Sequence, residues 1–155
     1  MSLRFTKMHG IGNDFVVLDR RDAISPLSAE LARKLADRHV GIGCDQVMTI
    51  ERSEKATSRF RYGIYNADGS VAGQCGNGLR CVVRWLADRG LVHGQGIRLI
   101  GPSGPAVADL LDDGRVRVDM GIPRFDAVDV PLATTMTLPR YALELDGQRI
   151  EFGAV

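Results

Sequence analysis

The stretch Gln74-Cys75-Gly76-Asn77-Gly78-Leu79-Arg80-Cys81 is the point from which the fold of this chain can be predicted. An apolar helical run follows it at once and ends near Arg89-Gly90. Cys81 and Trp85 widen the apolar face of this run, so most of the helix is expected to be buried. The residues that share that face are Leu79, Val82, Val83 and Leu86.

Short strands flank this central helix on both sides in the sequence. In the strand predicted at 59–65, apolar residues alternate with polar or small ones, as in a half-buried strand. One further helix is predicted from Ser25-Pro26 or Ser28 to Gly41, since both serines are good N-caps. The other predicted strands are 3–7, 15–20, 46–52, 97–101, 106–111, 115–120, 141–146 and 149–153.

These elements predict the α+β class, with a mostly antiparallel sheet wrapped around one central helix. A turn at 9–14 is expected to join the first two strands. We expect two regions, residues 1–117 and residues 118–155, because the second is too short to build a core of its own.

Composition and charge narrow the functional classes. The chain has 155 residues, a net charge of +1 and 45% apolar residues, as in a soluble globular protein. Its basic residues are scattered, which argues against a nucleic-acid or membrane surface. Three cysteines and an N-terminus without an apolar signal core favour a reducing cytoplasm.

Cys75 is the first candidate for chemistry. A cysteine at a helix N-terminus meets the positive end of the helix dipole, which favours the thiolate. Gly76 and Gly78 add no side-chain bulk, so a ligand could approach the backbone N–H groups, which can hold a carboxylate. On the stretch alone, the alternative that Cys75 is a small buried hydrophobe beside ordinary turns stays open.

Polar residues in glycine-rich turns are the second set of candidates. Asn13, Gln46 and Asn66 can donate and accept hydrogen bonds, as an amino-acid ligand requires. Each one singly is more typical of a turn, and Asp68 is assigned to turn chemistry.

Cofactor sites are not indicated. The three cysteines and three histidines lack the paired spacing of a zinc site. Gly76-x-Gly78-x-x-Cys81 only approaches the dinucleotide fingerprint, and its neighbouring strands are expected to be antiparallel. Cys81 lies about 240° round the helix from Cys75 and is predicted to be core. Cys44 is expected to pack in a loop, with pocket lining as the alternative.

Four segments together resemble, in order and spacing, the motifs of bacterial diaminopimelate epimerase. The main departure is Cys44, where members of that family often carry Phe or Ala. The segments are Lys7-Met8-His9-Gly10-Ile11-Gly12-Asn13-Asp14-Phe15, Gly41-Ile42-Gly43-Cys44-Asp45-Gln46, Asn66-Ala67-Asp68-Gly69-Ser70 and Gln74-Cys75-Gly76-Asn77-Gly78-Leu79-Arg80-Cys81.

The resemblance implies a cofactor-independent isomerase that interconverts LL- and meso-diaminopimelate, for lysine and cell-wall synthesis. It implies two pseudo-symmetric halves with one cysteine each, on opposite faces of the substrate Cα, and a possible homodimer. Carried over by position, Cys75 is one acid–base residue. The residues implied to contact substrate are Asn13, Gln46, Asn66, Gly76 and Asn77.

The family is about twice as long as this chain, and its second half carries the other catalytic cysteine. We therefore expect an N-terminal half that is inactive alone. A related histidine or hydroxyproline racemase and a non-catalytic module that binds an amino acid or a partner chain remain alternatives. A redox-sensing thiol is a weaker one, because no resolving cysteine is evident.

Overall fold

The computed structural model describes residues 3–55, 57–130 and 132–155, and it forms two compact units, Met1–Asp119 and Met120–Val155. Among the described residues, the first unit has seven strands and two helices, which confirms the predicted α+β class. In chain order they are β1 (Phe5–Gly10), β2 (Asn13–Asp19), α1 (Ala29–Ala36), β3 (Gln46–Arg52), β4 (Phe60–Asn66), α2 (Gly76–Ala87), β5 (Ile97–Gly101), β6 (Gly104–Leu110) and β7 (Val116–Asp119).

The seven strands form one sheet in the order β1-β2-β3-β4-β5-β6-β7. Most neighbouring strands are antiparallel, but β2 pairs with β3 and β4 pairs with β5 in parallel. The expectation of antiparallel strands around α2 was therefore wrong for β4 and β5. A helix can connect parallel strands, and α1 and α2 are these two crossovers. The sixth residue, Cys81, still departs from the dinucleotide fingerprint.

Both faces of the sheet are covered, because successive residues of a strand point to opposite sides. Phe15 and Val17 of β2 belong to the apolar cluster that includes α2. Val16 and Leu18 belong to a second cluster, with Ala32 and others, on the α1 side. All four β2 residues are fully buried, so the sequence run Phe15-Val16-Val17-Leu18 forms the centre of the unit.

Helix α2 is the core of this unit, as predicted. It contacts both edge strands, β1 and β7, so the sheet curls around it. Its buried residues are Gly78, Leu79, Cys81, Val82, Val83, Trp85 and Leu86. The buried indole of Trp85 is satisfied, since its Nε1 donates to Thr6 Oγ1 at 3.0 Å.

Helix α1 begins after Ser28, whose Oγ accepts a hydrogen bond from the Leu31 N–H at 3.2 Å. It ends at Ala36, so the expectation that it runs to Gly41 was wrong. The loop 41–44 caps it instead through four backbone N–H groups. They bond to carbonyl oxygens of Asp37, Leu35 (twice) and Ala36, at 3.0–3.1 Å. This loop leads directly into β3.

The first hairpin is tighter than predicted. The turn contains only Ile11 and Gly12, whose φ angles are 55° and 82°, and Asn13 already belongs to β2. Two positive φ angles define the type I′ hairpin turn that suits twisted strands. Asn13 is therefore held by strand pairing with Gly10.

In the described part of the unit Met120–Val155, β8 (Tyr141–Leu145) and β9 (Gln148–Phe152) form an antiparallel hairpin. The Tyr141 and Phe152 rings lie 6.1 Å apart across it. In the residues that the structure describes, no helix is long and apolar enough to cross a membrane.

Candidate active site

Cys75 is the N-cap residue of α2. Its backbone is extended, with φ −152° and ψ 103°, and its Sγ accepts a hydrogen bond from the Gly78 N–H at 3.3 Å. Ser, Thr, Asp or Asn usually fill this position through an oxygen. Here a partly exposed sulfur takes the place of that oxygen, so the thiol lies at the positive end of the helix.

Gly78 has a packing role that the sequence did not indicate. A Cβ at this residue would lie 2.7 Å from Met48 Sδ and 3.3 Å from Phe15 Cε1. The first turn of α2 therefore lies directly on β2 and β3, and Gly78 is buried. The expectation that Gly78 opens the backbone to a ligand is wrong, because its N–H already bonds to Cys75.

Asn13 and Asn77 lie beside Cys75. Asn13 Oδ1 is 3.9 Å from Cys75 Sγ, and Asn77 Nδ2 is 3.5 Å from the same oxygen. Arg80 donates to Asn77 Oδ1. The start of β2 and the start of α2 thus bring together three of the residues that the sequence singled out.

Gln46 and Asn66 form a second pair at the same end of the sheet. They are directly opposite each other in the β3–β4 pairing, and Gln46 Nε2 donates to Asn66 Oδ1 at 2.8 Å. Gln46 also lies next to Phe15, two residues after Asn13 in β2. Within the described part of the chain, Gln46 Oε1 is buried without a hydrogen-bond partner.

The sequence did not indicate the charged cluster next to Asn13, which is formed by Lys7, Asp14, Arg38 and Asp45. Arg38 donates to Asp14 Oδ1 at 2.7 Å and to Asp45 Oδ1 at 2.8 Å, and Lys7 Nζ lies 2.8 Å from Asp14 Oδ2. The hydrogen bond from Arg38 and, to a smaller extent, that from Lys7 hold the pKa of Asp14 well below its ordinary value. The residues come from β1, β2 and the α1–β3 loop, so no local sequence signal links them.

Cys81 is a core residue, as predicted, and Cys44, which was expected to pack in a loop, is buried in the apolar cluster on the α1 side. Cys44 and Cys81 are 2% and 4% exposed. Burial raises the pKa of the Cys44 thiol, and it raises that of Cys81 to about 11. Neither is suited to ionise near neutral pH. Among the described residues, no three His, Cys, Asp or Glu side chains are grouped to hold a metal ion.

Asp68 also behaves as predicted. Its Oδ1 accepts from the Ser70 N–H at 2.8 Å and from Ser70 Oγ at 2.6 Å, which closes the turn after β4. This turn carries Asn66 at its start, and Asn66 Nδ2 donates to Ser70 Oγ at 3.0 Å. The turn therefore holds the Asn66 amide in place.

The fold belongs to a class that is also seen in solved structures. A probable proline racemase from Agrobacterium radiobacter K84 superposes with a TM-score of 0.64 at 17% identity, covering 97% of this chain and 48% of that one. At this identity the likeness concerns the fold, a curled sheet around a central helix.

The sequence identifies the family within that class. The family profile described as diaminopimelate epimerase matches residues 5–125. The diaminopimelate epimerase of Nitrosospira multiformis is 47% identical over all of this chain and 56% of its own length. That of Xanthomonas euvesicatoria pv. vesicatoria is 51% identical over 99% of this chain and 54% of its own length. The chain belongs to the diaminopimelate epimerase family and spans about half the length of these curated relatives.

Proposed function

We propose that this chain supplies one face of the active site of a cofactor-independent epimerase that interconverts LL- and meso-diaminopimelate. Its relatives carry that name. The observation that carries the proposal is the N-cap position of Cys75, where a sulfur bonded to the Gly78 N–H lies beside two asparagine amides. Such an enzyme would serve lysine and peptidoglycan synthesis in the cytoplasm.

In this mechanism the Cys75 thiolate removes the Cα proton and becomes a thiol, while the electron pair of the C–H bond stays on carbon. A thiol on the opposite face then delivers a proton, which inverts the centre. A Cα proton is very weakly acidic, so the N-terminal dipole of α2 stabilises the carbanionic transition state. Inversion needs one base on each face.

The second base lies outside this chain in the proposal, because Cys44 and Cys81 are buried and stay protonated near neutral pH. Residues 118–155 are then the first strands of a second half, and residues 1–117 form the half that carries Cys75. The chain alone is expected to be inactive, and the family resemblance allows a homodimer of the complete protein.

The substrate contacts proposed for this half are at one end of the sheet. Asn13, Gln46 and Asn66 offer amide groups that match the ammonium and carboxylate groups of an amino acid. Gly76 and Asn77 offer backbone N–H groups in the first turn of α2, which suit a carboxylate.

The test follows loss of the Cα hydrogen signal of LL-diaminopimelate in D2O by proton NMR. The 155-residue chain alone should show no exchange, and exchange should appear when the second half of the Nitrosospira multiformis relative is supplied. Cys75→Ala in the reconstituted protein should lower the rate by about 10²-fold or more. Cys81→Ala is the thiol-removal control in the core and should retain most of the rate.

A substrate panel separates this proposal from the alternative of a related histidine or hydroxyproline racemase. L-histidine and trans-4-hydroxy-L-proline should exchange at least about tenfold more slowly than diaminopimelate. Turnover by the isolated chain in which Cys75→Ala is tolerated would overturn the assigned role. Absence of any exchange in the reconstituted protein, with no effect of diaminopimelate on its stability, would favour a non-catalytic module.

A further inference from the structure

The direction of the Asn13 side-chain amide is set by Asp45. Asn13 Nδ2 lies 2.9 Å from Asp45 Oδ2, and the same oxygen accepts the Asp14 N–H at 3.0 Å. An ionised carboxylate can only accept hydrogen bonds, so the NH2 group of Asn13 must face it. The carbonyl oxygen of Asn13 is thereby turned toward Cys75, at 3.9 Å from Sγ.

Asp45 is itself held in place and in its ionised form. Arg38 Nη2 donates to its Oδ1 at 2.8 Å, and its backbone N–H donates to Asp14 Oδ1 at 2.8 Å. The hydrogen bond from Asn13 is the largest of the effects that lower the pKa of Asp45, followed by the Asp14 N–H. At neutral pH this carboxylate therefore remains an acceptor.

The side-chain amide of Asn77 is also held in one orientation, but by a hydrogen-bond donor rather than by an acceptor. Arg80 can only donate, and it donates to Asn77 Oδ1. The NH2 group of Asn77 is therefore turned toward Asn13 Oδ1, at 3.5 Å. The Asp45 carboxylate at one end of this row of hydrogen bonds only accepts, and the Arg80 guanidinium at the other end only donates. Each of the two asparagine amides between them therefore has a single orientation that satisfies its hydrogen bonds.

We propose that Asp45 is a positioning residue, which fixes Asn13 so that its carbonyl oxygen rather than its NH2 group faces Cys75 Sγ. A carbonyl oxygen accepts a hydrogen bond from S–H and repels a thiolate, whereas the Gly78 N–H favours the thiolate. The two neighbours thus favour different protonation states of the same sulfur. This inference rests on the proposed function, in which the same sulfur must act as base in one direction and as acid in the other.

The test compares Asp45→Asn with Asp14→Asn in the 155-residue chain, by alkylation of Cys75 with iodoacetamide and peptide mass spectrometry. Asp45→Asn allows the Asn13 amide to turn and present NH2 to the sulfur, so alkylation at pH 7 should accelerate about fivefold to tenfold. Asp14→Asn removes the same charge from the same Arg38 cluster but keeps the Asp45–Asn13 bond. It should accelerate alkylation no more than about twofold.

The pH profile separates protonation from access to the thiol. If Asp45→Asn acts through protonation of the sulfur, its alkylation rate and that of the parent should converge as the pH rises, whereas a loosened site would react faster at every pH. Among the described residues, Tyr62 on β4 and Cys81 on α2 interact electrostatically with Cys75. The charged groups of Asp45 and Arg80 contact Asn13 and Asn77 beside it. Burial raises the pKa of Tyr62 and Cys81, so neither ionises over the neutral range.

A second measurement follows Asn13 directly. In a ¹⁵N–¹H spectrum, its NH2 resonance should lie downfield in the parent and in Asp14→Asn, and move upfield in Asp45→Asn. Equal acceleration by the two variants, or an unmoved Asn13 resonance in Asp45→Asn, would overturn the inference. Neither readout needs turnover, so failure of exchange in the reconstituted protein would count against the proposed function alone.

Discussion

Gly41 should be one of the most sensitive positions in the unit Met1–Asp119. A Cβ there would lie 2.0 Å from the carbonyl oxygen of Lys34, 2.8 Å from that of Asp37 and 3.1 Å from that of Leu35. All three are backbone atoms, so no side-chain rotation can relieve the overlap. Gly41→Ala must displace the loop 41–44 from the end of α1.

The cost follows from the bonds that this loop makes. Its four backbone N–H groups cap α1, and each is worth about 1 kcal/mol. Loss of three or four, offset by about 0.4–1 kcal/mol from the stiffer unfolded chain, lowers the free energy of unfolding by about 2–3.5 kcal/mol. The melting temperature should fall by roughly 8–14 °C.

Urea unfolding monitored by circular dichroism measures this loss, with the midpoint falling at an unchanged m-value. Gly90→Ala is the matched control. Gly90 has φ 65° but nothing within 4 Å of the added Cβ, so only backbone strain of about 1 kcal/mol is expected. A loss below about 1 kcal/mol for Gly41→Ala, or a loss equal to that of Gly90→Ala, would refute the steric reasoning.

Three further outcomes are expected from the same unit. Leu86→Ala should lower the free energy of unfolding by about 2–5 kcal/mol, measured in urea, because this fully buried side chain fills the α2 core. The folded-state pKa of Asp14 lies below its ordinary value of 3.8, so the stabilising effect of its carboxylate is present above about pH 4 and is lost as the pH falls. Asp14→Asn should therefore flatten the pH dependence of the melting temperature below about pH 5. In the native chain iodoacetamide should modify Cys75 first, and Cys44 and Cys81 only after unfolding in urea, as peptide mass spectrometry would show.

Each of these three predictions has a control or a result that would contradict it. Val71→Ala is the control for the core variant, since Val71 is 64% exposed and should change stability by less than about 0.5 kcal/mol. An Asp14→Asn variant that keeps the parent's acid sensitivity would show that other carboxylates dominate. Modification of Cys81 at the rate of Cys75 would show that the core opens readily.

The sequence predicted what local patterns encode. The alternation of Phe60, Tyr62 and Ile64 identified β4, and the apolar face after Leu79 identified α2 as the core helix. The sequence also placed Cys75 at the start of that helix, because Cys75 comes only four positions before Leu79. These features depend on residues a few positions apart.

The features that escaped prediction depend on residues far apart. The parallel pairing of β4 with β5 is decided by how α2 packs on the sheet, which periodicity does not encode. The need for glycine at residue 78 comes from Met48, thirty positions earlier in the chain, and appears only when helix and sheet are in contact. The charged cluster around Arg38 is assembled by tertiary structure in the same way.

The separation between Asn13 and Cys75, 62 positions along the chain, also sets the order in which this part of the protein is made. At a synthesis rate of about 5–20 residues per second, the asparagine leaves the ribosome roughly 3–12 seconds before the cysteine. A hairpin closes in microseconds, although β1 and β2 alone form only a marginal one. The sulfur therefore joins a nascent chain in which β1–β4 have already been synthesised, and its surroundings are completed only when α2 docks.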